Sequence, residues 1–309
     1  MNKAIIDIGS NTINVLIVQI ESATWTRIAE YKNPARLGKG GLDKNMLAED
    51  AIERGIKALT DHIVMAKEHR CDSIHAYATA AVRDAKNKDV FLKRVKRELN
   101  LDIEVIEGKR EAELITFGIQ ASGALSDETN LILDIGGGST EFIIIKKGEI
   151  FFKESYRLGV TRLLEQFKPS DPLSGENIKV IGDHINAELV QLKQLIIEHN
   201  PTRLVGASGS FDSLAQMSAA RLQLDFEAIK NEISLEVYDD LSKEILAHKM
   251  SVRAEIPGLV PHRVETIPMA VLLIDKILEN GNFKEIFQSS YALKEGAAEE
   301  LCNREYDKV

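Results

Sequence analysis

Two segments of the chain place an aspartate before a turn of small residues, with apolar stretches on both sides. The first reads DIGSNT at 7–12 and the second reads DIGGGST at 134–140. Residues without bulky side chains let backbone N–H groups approach an anion closely, and glycine also tolerates the positive φ that such turns often require. Phosphate is therefore the expected ligand of both turns.

The aspartate before each turn implies a metal ion. A carboxylate and a phosphate repel each other, and a divalent cation between them resolves the repulsion. A hard ion such as Mg²⁺ prefers carboxylate, water and phosphate oxygens. Asp7 and Asp134 are therefore predicted to lie on the metal side of the site.

Ordinary hairpin turns are the alternative, since glycine with asparagine or serine is common in them. Two copies of one pattern, each at the start of a domain, favour the phosphate interpretation. A third segment, GASGSF at 206–211, follows a strand and opens a helix. The N–H groups of Gly209 and Ser210 can form an anion site at a helix start, and a plain turn is again the alternative.

The elements that must position these turns alternate between strands and helices, which implies mixed sheets covered by helices. The first half is predicted to contain strands over 3–20 and 26–33, a helix over 51–69, a strand running into a helix over 73–87, a strand over 102–108 and a helix over 109–122. After the polar segment 122–130 the pattern restarts, with a hairpin over 131–152, a helix over 176–199, a strand, glycine turn and helix over 203–217, and two or three further helices.

The length of 309 residues suits two domains. We predict an N-terminal domain over 1–125 and a C-terminal domain over 126–309, with the last helix able to pack back on the first domain. Apolar residues make up 44% of the chain and charged residues 28%, which is an ordinary globular composition.

The formal net charge of −9 argues against binding nucleic acid or an anionic membrane by bulk electrostatics. The densest basic run, at 91–99, has apolar residues at helical spacing and is interpreted as the solvated face of a helix. Cys71 and Cys302 show neither metal-type spacing nor a disulfide framework, which favours a reducing compartment. With no leader pattern at the N-terminus and no apolar run of about 18 residues, we expect a cytoplasmic protein.

Seven blocks, spread over most of the chain, make it resemble the exopolyphosphatase and guanosine pentaphosphate phosphatase (Ppx/GppA) family of the actin-like superfamily. The blocks are IIDIGSNT near the start, ATAAVRDAKN at 78–87, IEVIEGKREAELI at 103–115, LILDIGGGSTEF at 131–142, LGVTRL at 158–163, VGASGS at 205–210 and IPGLVPHRVETIP at 256–268. The resemblance implies an α/β fold of two ribonuclease H-like (actin-like) domains, facing an interdomain cleft into which both phosphate loops point. The implied activity is Mg²⁺-dependent hydrolysis of the terminal phosphoanhydride of inorganic polyphosphate.

The resemblance also implies which residues form the site. The catalytic residue is Glu111, and the metal-side carboxylates are Asp134, Glu141 and Asp7. The phosphate-binding residues, with the third segment included, are Gly9, Ser10, Asn11, Thr12, Arg83, Gly136, Gly137, Gly138, Ser139, Thr140, Gly209 and Ser210.

Glu111 and Arg83 also have a physical rationale. A carboxylate at the start of a helix can orient the attacking water and accept its proton, whereas compensation of the helix dipole is the alternative. Arg83 offers a charged fork that fits phosphate oxygens, and a surface arginine paired with Asp84 or Asp89 is the alternative. Arg263 in PHRVE is a weaker candidate of the same kind.

Three features depart from the family pattern. Arg110 stands where the family commonly has an acidic residue, which is expected to lower the proton affinity of Glu111. KEG at 294–296 replaces the common REG. Longer relatives append a helical region that extends the polyphosphate channel, so shorter phosphate chains or a nucleotide polyphosphate are expected substrates here.

The leading prediction is a Mg²⁺-dependent exopolyphosphatase. The alternatives are a guanosine pentaphosphate 5′-phosphohydrolase that uses the same residues, and an actin-like regulator that binds phosphates or nucleotides with little turnover. Inorganic polyphosphate or guanosine pentaphosphate is the expected partner, without nucleic acid or membrane. A homodimer is an expectation from the family alone.

Overall fold

The structure is a computed structural model that describes residues 1–226 and 230–306. It contains two α/β units, each with its own sheet and hydrophobic core. Unit 1 comprises Met1–Ala121, Gly136–Gly138 and the chain from Ala292 onward. Unit 2 comprises Ser122–Ile135 and Ser139–Tyr291. Unit 1 is therefore discontinuous in the chain.

Strands and helices alternate along most of the described chain. In chain order they are β1 (Asn2–Ile8), β2 (Ile13–Glu21), β3 (Thr24–Asn33), α1 (Glu49–Glu68), β4 (Ser73–Ala78), α2 (Ala80–Arg83), α3 (Lys88–Leu99), β5 (Ile103–Val105), α4 (Gly108–Ser122), β6 (Asn130–Ile135), β7 (Thr140–Lys146), β8 (Glu149–Tyr156), α5 (Val160–Phe167), α6 (Gly175–Glu188), α7 (Val190–His199), β9 (Arg203–Ala207), α8 (Ser208–Leu222), β10 (Lys230–Ile233), α9 (Leu235–Ala247), α10 (Met250–Arg253), α11 (Ile267–Leu278), β11 (Glu285–Ser289) and α12 (Leu293–Tyr306). Over residues 1–226 and 230–306, none of the helices has both the length and the hydropathy needed to cross a membrane.

Unit 1 is built on a sheet with the strand order β3-β2-β1-β4-β5. β1, β2 and β3 form an antiparallel meander, whereas β4 and β5 run parallel to β1. Branched apolar residues in these strands, such as Ile6, Val15 and Ile17, are fully buried and share a core with Leu59 of α1 and Phe91 of α3. β1 and β2 are apolar along most of their length rather than on alternate residues, as expected of strands covered on both faces, whereas β3 is largely polar and at least partly exposed.

The C-terminal helix α12 also belongs to unit 1, where it packs against α4 and the meander. A Cβ built at Gly296 of α12 would lie 1.7 Å from the carbonyl oxygen of Leu114 in α4, so only glycine allows this approach. On the sheet side, Trp25 Nε1 in β3 donates a hydrogen bond of 2.8 Å to Glu299 Oε1. The helix is thus held by both apolar and polar contacts.

Unit 2 is built on a sheet with the strand order β10-β11-β9-β6-β7-β8. β6, β7 and β8 form an antiparallel meander, β9 and β11 run parallel to β6, and β10 pairs antiparallel with β11. Leu133 and Phe142 of this sheet share a core with Ile185 of α6, Leu241 of α9 and Ile274 of α11. The most apolar helix, α11, is buried along most of its length.

Both sheets follow one plan. The order β8-β7-β6-β9-β11 in unit 2 repeats the order β3-β2-β1-β4-β5 in unit 1, with β10 added at one edge. In each unit the first strand ends at one of the two repeated turns, and the second strand begins directly after it. The repeat seen in the sequence is therefore the visible part of a duplicated sheet.

Two predictions of helices and strands differ from the structure. The helix predicted over 176–199 divides into α6 and α7 at Leu189, whose φ of −95° and ψ of 16° interrupt the helix. Hydrogen bonds from Leu189 to Ile185 and from Lys193 to Leu189 continue across the break, so the apolar stripe stays buried. The prediction of helices alone after residue 217 was also wrong, because β10 and β11 complete the sheet of unit 2.

The glycine turn predicted within 206–211 is instead the end of β9 and the first turn of α8. Gly206 lies in the strand, where a Cβ would meet Cδ1 of Phe211 at 1.9 Å. Phe211 is fully buried, so the glycine makes room for a core side chain. Gly209 lies in the first turn of the helix.

Candidate functional site

The predicted residues of unit 1 lie at the carboxyl ends of its parallel strands. β1 leads into loop 1 (Gly9–Thr12), β4 leads into α2 with Arg83, and β5 leads into α4 with Glu111. Ile8 of β1 is paired with Ala78 of β4, so these strands end level with each other. Crevices at this edge of α/β sheets are the usual place for ligands.

Loop 1 has a backbone fixed by hydrogen bonds. The N–H of Gly9 donates to the carbonyl of Thr12 at 3.0 Å, and the N–H of Arg36 donates to the carbonyl of Asn11 at 2.8 Å. Ser10 is buried, with 4% exposure. The loop is therefore held before any ligand arrives, which lowers the entropy cost of binding.

Arg83 and Glu111 form a buried ion pair. Arg83 Nη1 lies 2.6 Å from Glu111 Oε2, and it also donates to the carbonyl of Ile106 at 3.3 Å. Asp84 Oδ1 lies 3.7 Å from Arg83 Nε. Glu111 is only 6% exposed and the Arg83 side chain 13%, so Arg83 is largely shielded from solvent, with both Glu111 and Asp84 within ion-pair distance.

Arg110, which departs from the family pattern, is held by other carboxylates. It donates to Glu113 Oε2 at 2.9 Å and to Glu300 Oε1 at 2.5 Å. Its guanidinium is therefore engaged by Glu113 and by Glu300 of α12. The effect of Arg110 on the proton affinity of Glu111 remains a prediction.

Asp7 lies near the end of β1 and is partly buried. Burial raises the pKa of Asp7 to about 6, although the charge of Lys294 and a hydrogen bond from Asn14 lower it. Asn14 is the residue directly opposite on β2, and its Nδ2 lies 3.5 Å from Asp7 Oδ2. Its Oδ1 is buried and has no hydrogen-bond partner within the described chain. An unsatisfied acceptor beside a carboxylate fits a donor such as a water bound to a cation.

Lys294 provides a buried positive charge in the same unit. Its Nζ lies 3.0 Å from Glu295 Oε1 and 3.2 Å from Glu30 Oε1. Burial opposes the charged form, but the two carboxylates raise the pKa of Lys294 above its ordinary value. Arg27 adds a second cation 3.1 Å from Glu295. The lysine of KEG thus belongs to a buried charge network that holds α12 on the meander.

Asp134 and Glu141 are the corresponding pair in unit 2. They lie directly opposite each other on β6 and β7, and both are buried. Side chains at such positions have Cβ atoms about 5 Å apart, and like charges there are destabilising. Carboxylate oxygens in this arrangement match the ligand preference of a divalent cation.

Loop 2 (residues 136–139) connects these two strands, and hydroxyl side chains stand at its end and at the start of β7. Ser139 Oγ donates to Glu141 Oε1 at 2.7 Å. The hydroxyl of Thr140, which is fully buried, donates to the carbonyl of Leu158 at 3.1 Å. The Thr140 side chain therefore fixes the start of β7, and its proton is engaged by the Leu158 carbonyl.

The glycines of both loops have ordinary backbone angles. In the described chain, the glycines with positive φ are Gly40, Gly123, Gly148 and Gly258, and none of them belongs to loop 1 or loop 2. The expectation that loop glycines supply positive φ is therefore wrong. Their contribution is the absence of a side chain, which leaves the backbone N–H groups accessible at short range.

Arg263 lies against the first turn of α8. A Cβ built at Gly209 would lie 2.1 Å from Arg263 Nη2, so this glycine makes room for the guanidinium. Arg263 is buried, and its Nε has no hydrogen-bond partner among the described residues. Burial lowers the pKa of Arg263, whereas the charges of Asp212 and Asp134 raise it. Ser210, one residue further along the helix, is 1% exposed.

The sequence model of the Ppx/GppA phosphatase family matches residues 16–305 of the chain. The chain belongs to the Ppx/GppA family. An exopolyphosphatase from Cytophaga hutchinsonii has a similar structure, with a TM-score of 0.95 and 34% identity over 98% of both chains. An Aquifex aeolicus member of the Ppx/GppA family has a TM-score of 0.80 and 26% identity over 99% of this chain and 98% of its own. The predicted family and the two-domain actin-like α/β fold are confirmed by these matches.

Curated relatives of this Ppx/GppA chain carry two kinds of name. One is the guanosine-5′-triphosphate,3′-diphosphate pyrophosphatase of Photobacterium profundum, 26% identical over 97% of this chain and 59% of the relative. Another is exopolyphosphatase 1 of Mycobacterium bovis, 26% identical over 96% of this chain and 87% of the relative. The chain thus spans little more than half the length of the Photobacterium relative.

A divalent cation fits the residues present in this Ppx/GppA chain. In unit 2 the candidate donors are the facing carboxylates of Asp134 and Glu141. In unit 1 they are the carboxylate of Asp7 and the unsatisfied oxygen of Asn14. Within residues 1–226 and 230–306, no three His, Cys, Asp or Glu side chains form a preassembled cluster. Mg²⁺ commonly binds through one or two carboxylates and completes its shell with water and phosphate oxygens.

Two residues of the site were missed by sequence reasoning. Asn14 faces Asp7, and Ser155 of β8 faces Glu141 and donates to it at 2.6 Å. The spacing from Asp7 to Asn14 equals the spacing from Asp134 to Glu141. An alignment of the two repeats beyond their turns would therefore have identified Asn14 as the counterpart of a carboxylate.

Proposed function

We propose that the chain hydrolyses the terminal phosphoanhydride of inorganic polyphosphate with the help of a divalent cation. The observation that supports this most directly is the buried pair of Arg83 and Glu111, at the same sheet edge as loop 1. Membership of a phosphatase family and the 34% identity to the Cytophaga exopolyphosphatase support the same activity.

Glu111 is the proposed general base. It orients a water molecule in line with the terminal phosphorus and accepts one of its protons. The water oxygen forms the new P–O bond while the bond to the bridging oxygen breaks, which releases orthophosphate and a polyphosphate shorter by one unit. Arg83, at 2.6 Å, keeps the Glu111 carboxylate in one orientation, and its planar fork also suits a phosphate oxygen.

Asp134, Glu141 and Asp7 are proposed to hold the cation, taken to be Mg²⁺, directly or through water. When bound, the cation neutralises negative charge on the phosphate oxygens and on the leaving group. Loop 1, loop 2 and the start of α8 are proposed to bind phosphates through backbone N–H groups and short side chains. The proposed phosphate-binding residues are Gly9, Ser10, Asn11, Thr12, Arg83, Gly136, Gly137, Gly138, Ser139, Thr140, Gly209 and Ser210.

A guanosine pentaphosphate 5′-phosphohydrolase is the second candidate. It is favoured by the Photobacterium relative, which is named for guanosine-5′-triphosphate,3′-diphosphate. The same residues would act on a terminal phosphate in both cases, and the group at the far end of the substrate differs. A regulator that binds phosphates with little turnover is the alternative if no substrate is hydrolysed.

Two expectations from the sequence remain part of this proposal. A cytoplasmic location is supported by Cys71 and Cys302, both of which are unpaired. A homodimer is expected from the family. Cell fractionation tests the first, and light scattering of the purified chain tests the second.

Phosphate release from medium-length polyphosphate, guanosine pentaphosphate and ATP, each with Mg²⁺, tests the function. The parent is expected to consume polyphosphate fastest, and Glu111→Gln is expected to lower kcat about 10²- to 10⁴-fold because general base catalysis is lost. Glu113→Gln, on the same helix, is the matched control because Glu113 pairs with Arg110. Equal rates for Glu111→Gln and the parent would show that the base is another group. Consumption of guanosine pentaphosphate alone would establish the second candidate, and consumption of none would support the regulator.

A further inference from the structure

Ser155 makes a hydrogen bond that the proposed reaction does not use. It lies on β8, directly opposite Glu141 on β7, and its Oγ is 2.6 Å from Glu141 Oε1. Ser139 Oγ lies 2.7 Å from the same oxygen. Two hydroxyl groups from different parts of unit 2 therefore donate to one carboxylate oxygen.

The burial of Glu141 makes these two hydrogen bonds important for its carboxylate. The residue is 1% exposed, so its carboxylate depends on protein donors instead of bulk water. The terminal torsion of glutamate is broad, and a carboxylate plane is not fixed by the side-chain rotamer alone. Hydrogen bonds to an ionised acceptor are short and about twice as strong as neutral ones. The two serines therefore fix the plane of the Glu141 carboxylate.

We propose that Ser155 is a positioning residue that prepares Glu141 for divalent-cation binding. The inference rests on the proposed function only in taking Glu141 as a carboxylate on the metal side. Ser155 differs from Ser139 because it lies on a strand outside both loops, and so it acts through Glu141. Partners that orient a metal ligand typically contribute 10- to 100-fold in metal affinity.

The test measures binding of Mg²⁺ alone to the full chain by calorimetry, without substrate. Ser155→Ala is expected to weaken Mg²⁺ binding 10- to 100-fold. Ser155→Thr keeps the hydroxyl on a residue that suits a strand, and it is expected to bind Mg²⁺ within about threefold of the parent. Ser155→Cys, a weaker donor of similar size, is expected to lie between them. The threonine and cysteine variants still test the proposal if Ser155→Ala folds poorly.

Ser242→Ala is the matched control. Ser242 Oγ donates to another carboxylate of unit 2, that of the partly buried Asp275, at 2.8 Å. If loss of any such serine weakened Mg²⁺ binding equally, the effect would be general destabilisation and the inference would be wrong. Parent-like Mg²⁺ affinity in Ser155→Ala would also overturn it.

A double-variant cycle separates action through Glu141 from an independent effect. In the Glu141→Gln background, Ser155→Ala is expected to change Mg²⁺ affinity by less than twofold. An undiminished 10-fold loss in that background would contradict the assigned role. Enzyme assays add a further readout: Ser155→Ala should raise the Mg²⁺ concentration for half-maximal rate and recover most of kcat at saturating Mg²⁺.

The two proposals fail in different ways. A chain that binds Mg²⁺ through Ser155 and Glu141 but hydrolyses no phosphate would refute the proposed function and leave this inference standing. A chain that hydrolyses polyphosphate with the same Mg²⁺ affinity in the parent and in Ser155→Ala would refute only the inference.

Discussion

At the scale of single residues, Arg83 has contacts that only its own side chain can reproduce. Its Nη1 donates both to Glu111 and to the carbonyl of Ile106, while its Nε lies 3.7 Å from Asp84 Oδ1 on another side of the guanidinium. Lysine keeps the charge but lacks the planar fork, so it cannot hold the Glu111 carboxylate in the same orientation. Arg83→Lys is expected to lower kcat roughly 10- to 100-fold, since a hydrogen bond to a charged group contributes about 1.5–3 kcal/mol.

Steady-state rates on polyphosphate at saturating Mg²⁺ measure this effect. Arg94→Lys is the control, because Arg94 pairs with Glu49 and Glu53, whose side chains are largely exposed, and surface pairs contribute little. The control should keep the parental kcat. If Arg83→Lys also kept it, orientation of Glu111 by Arg83 would be unnecessary for the reaction.

The site residues predicted from the sequence are those that belong to local motifs. Glycine turns, the aspartates before them, Glu111 and Arg83 are all recognisable within short segments. Ser155 and Asn14 were missed because cross-strand neighbours are fixed by strand register, which depends on the packing of the whole sheet. The reason for glycine in the two loops was also predicted wrongly. A need for small size and a need for positive φ both favour glycine, and the sequence does not distinguish the two.

At the scale of elements, His62 connects α1 to the strand that follows loop 1. It is buried, and its Nε2 donates to the carbonyl of Ile13 at 2.8 Å. Burial lowers the pKa of His62, although this hydrogen bond and Asp61 raise it. The unfolded chain takes up a proton near the ordinary histidine pKa of about 6.5, whereas the folded chain resists until lower pH. Stability is therefore lost as pH falls below about 6.5.

His62→Gln isolates this contribution, because glutamine can donate from a similar position and does not titrate. Urea unfolding of both proteins at pH 8 and pH 5 is the measurement. The parent should lose more unfolding free energy than the variant on acidification, while the other titrating groups cancel. An identical loss in both proteins would mean that His62 is protonated as easily in the folded state as in the unfolded one.

The close contact between α4 and α12 is a second feature at the scale of elements. A Cβ at Gly296 would lie 1.7 Å from a backbone oxygen of α4, the helix that carries Glu111. Gly296→Ala must therefore shift one helix, which is expected to cost about 1–3 kcal/mol of unfolding free energy and to lower kcat.

Gly175→Ala is the matched control, because a Cβ at Gly175 meets nothing within 4 Å. Where the backbone permits it, this change stabilises by about 0.4–1 kcal/mol through the unfolded state. Chemical unfolding and polyphosphate turnover are measured for both variants. Equal stability of the two variants would show that α4 and α12 have more freedom than their spacing indicates.

Elements with a strong apolar pattern were predicted well, and weakly patterned ones were not. β1 and β2 are dense apolar runs and α1 carries apolar residues at helical spacing, so these elements follow the predicted segments closely. β10 and β11 were missed because KNEI and EIFQS are short and mostly polar, and they become strands through pairing with neighbours. The break at Leu189 leaves the apolar stripe intact, so no hydrophobic pattern marks it.

At the scale of the whole molecule, unit 1 is assembled from segments far apart in the chain. Its meander is made within the first 33 residues, whereas α12 begins at Leu293. Lys294 holds α12 on the meander through its contacts with Glu30 and Glu295. Lys294→Met leaves Arg27 as the remaining cation in contact with both Glu295 and Glu30, which is expected to cost about 3 kcal/mol, the lower end of the range for a broken buried pair.

Hydrogen exchange of the full chain shows where this stability is lost. Amides of β1, β2 and β3 should exchange faster in Lys294→Met, while those of the unit 2 core should change little. Lys294→Arg preserves the charge and should retain most of the protection. Uniform loss of protection across both units would contradict a role confined to unit 1.

The bond between Trp25 and Glu299 has a practical consequence. Trp25 is the one tryptophan of the sequence, and its indole nitrogen donates to the final helix at 2.8 Å. Indole emission shifts to longer wavelength when the ring becomes hydrated. The native fluorescence spectrum therefore reports whether α12 is packed against β3, without any added dye. A stopped-flow trace of that signal would measure how fast α12 detaches during unfolding.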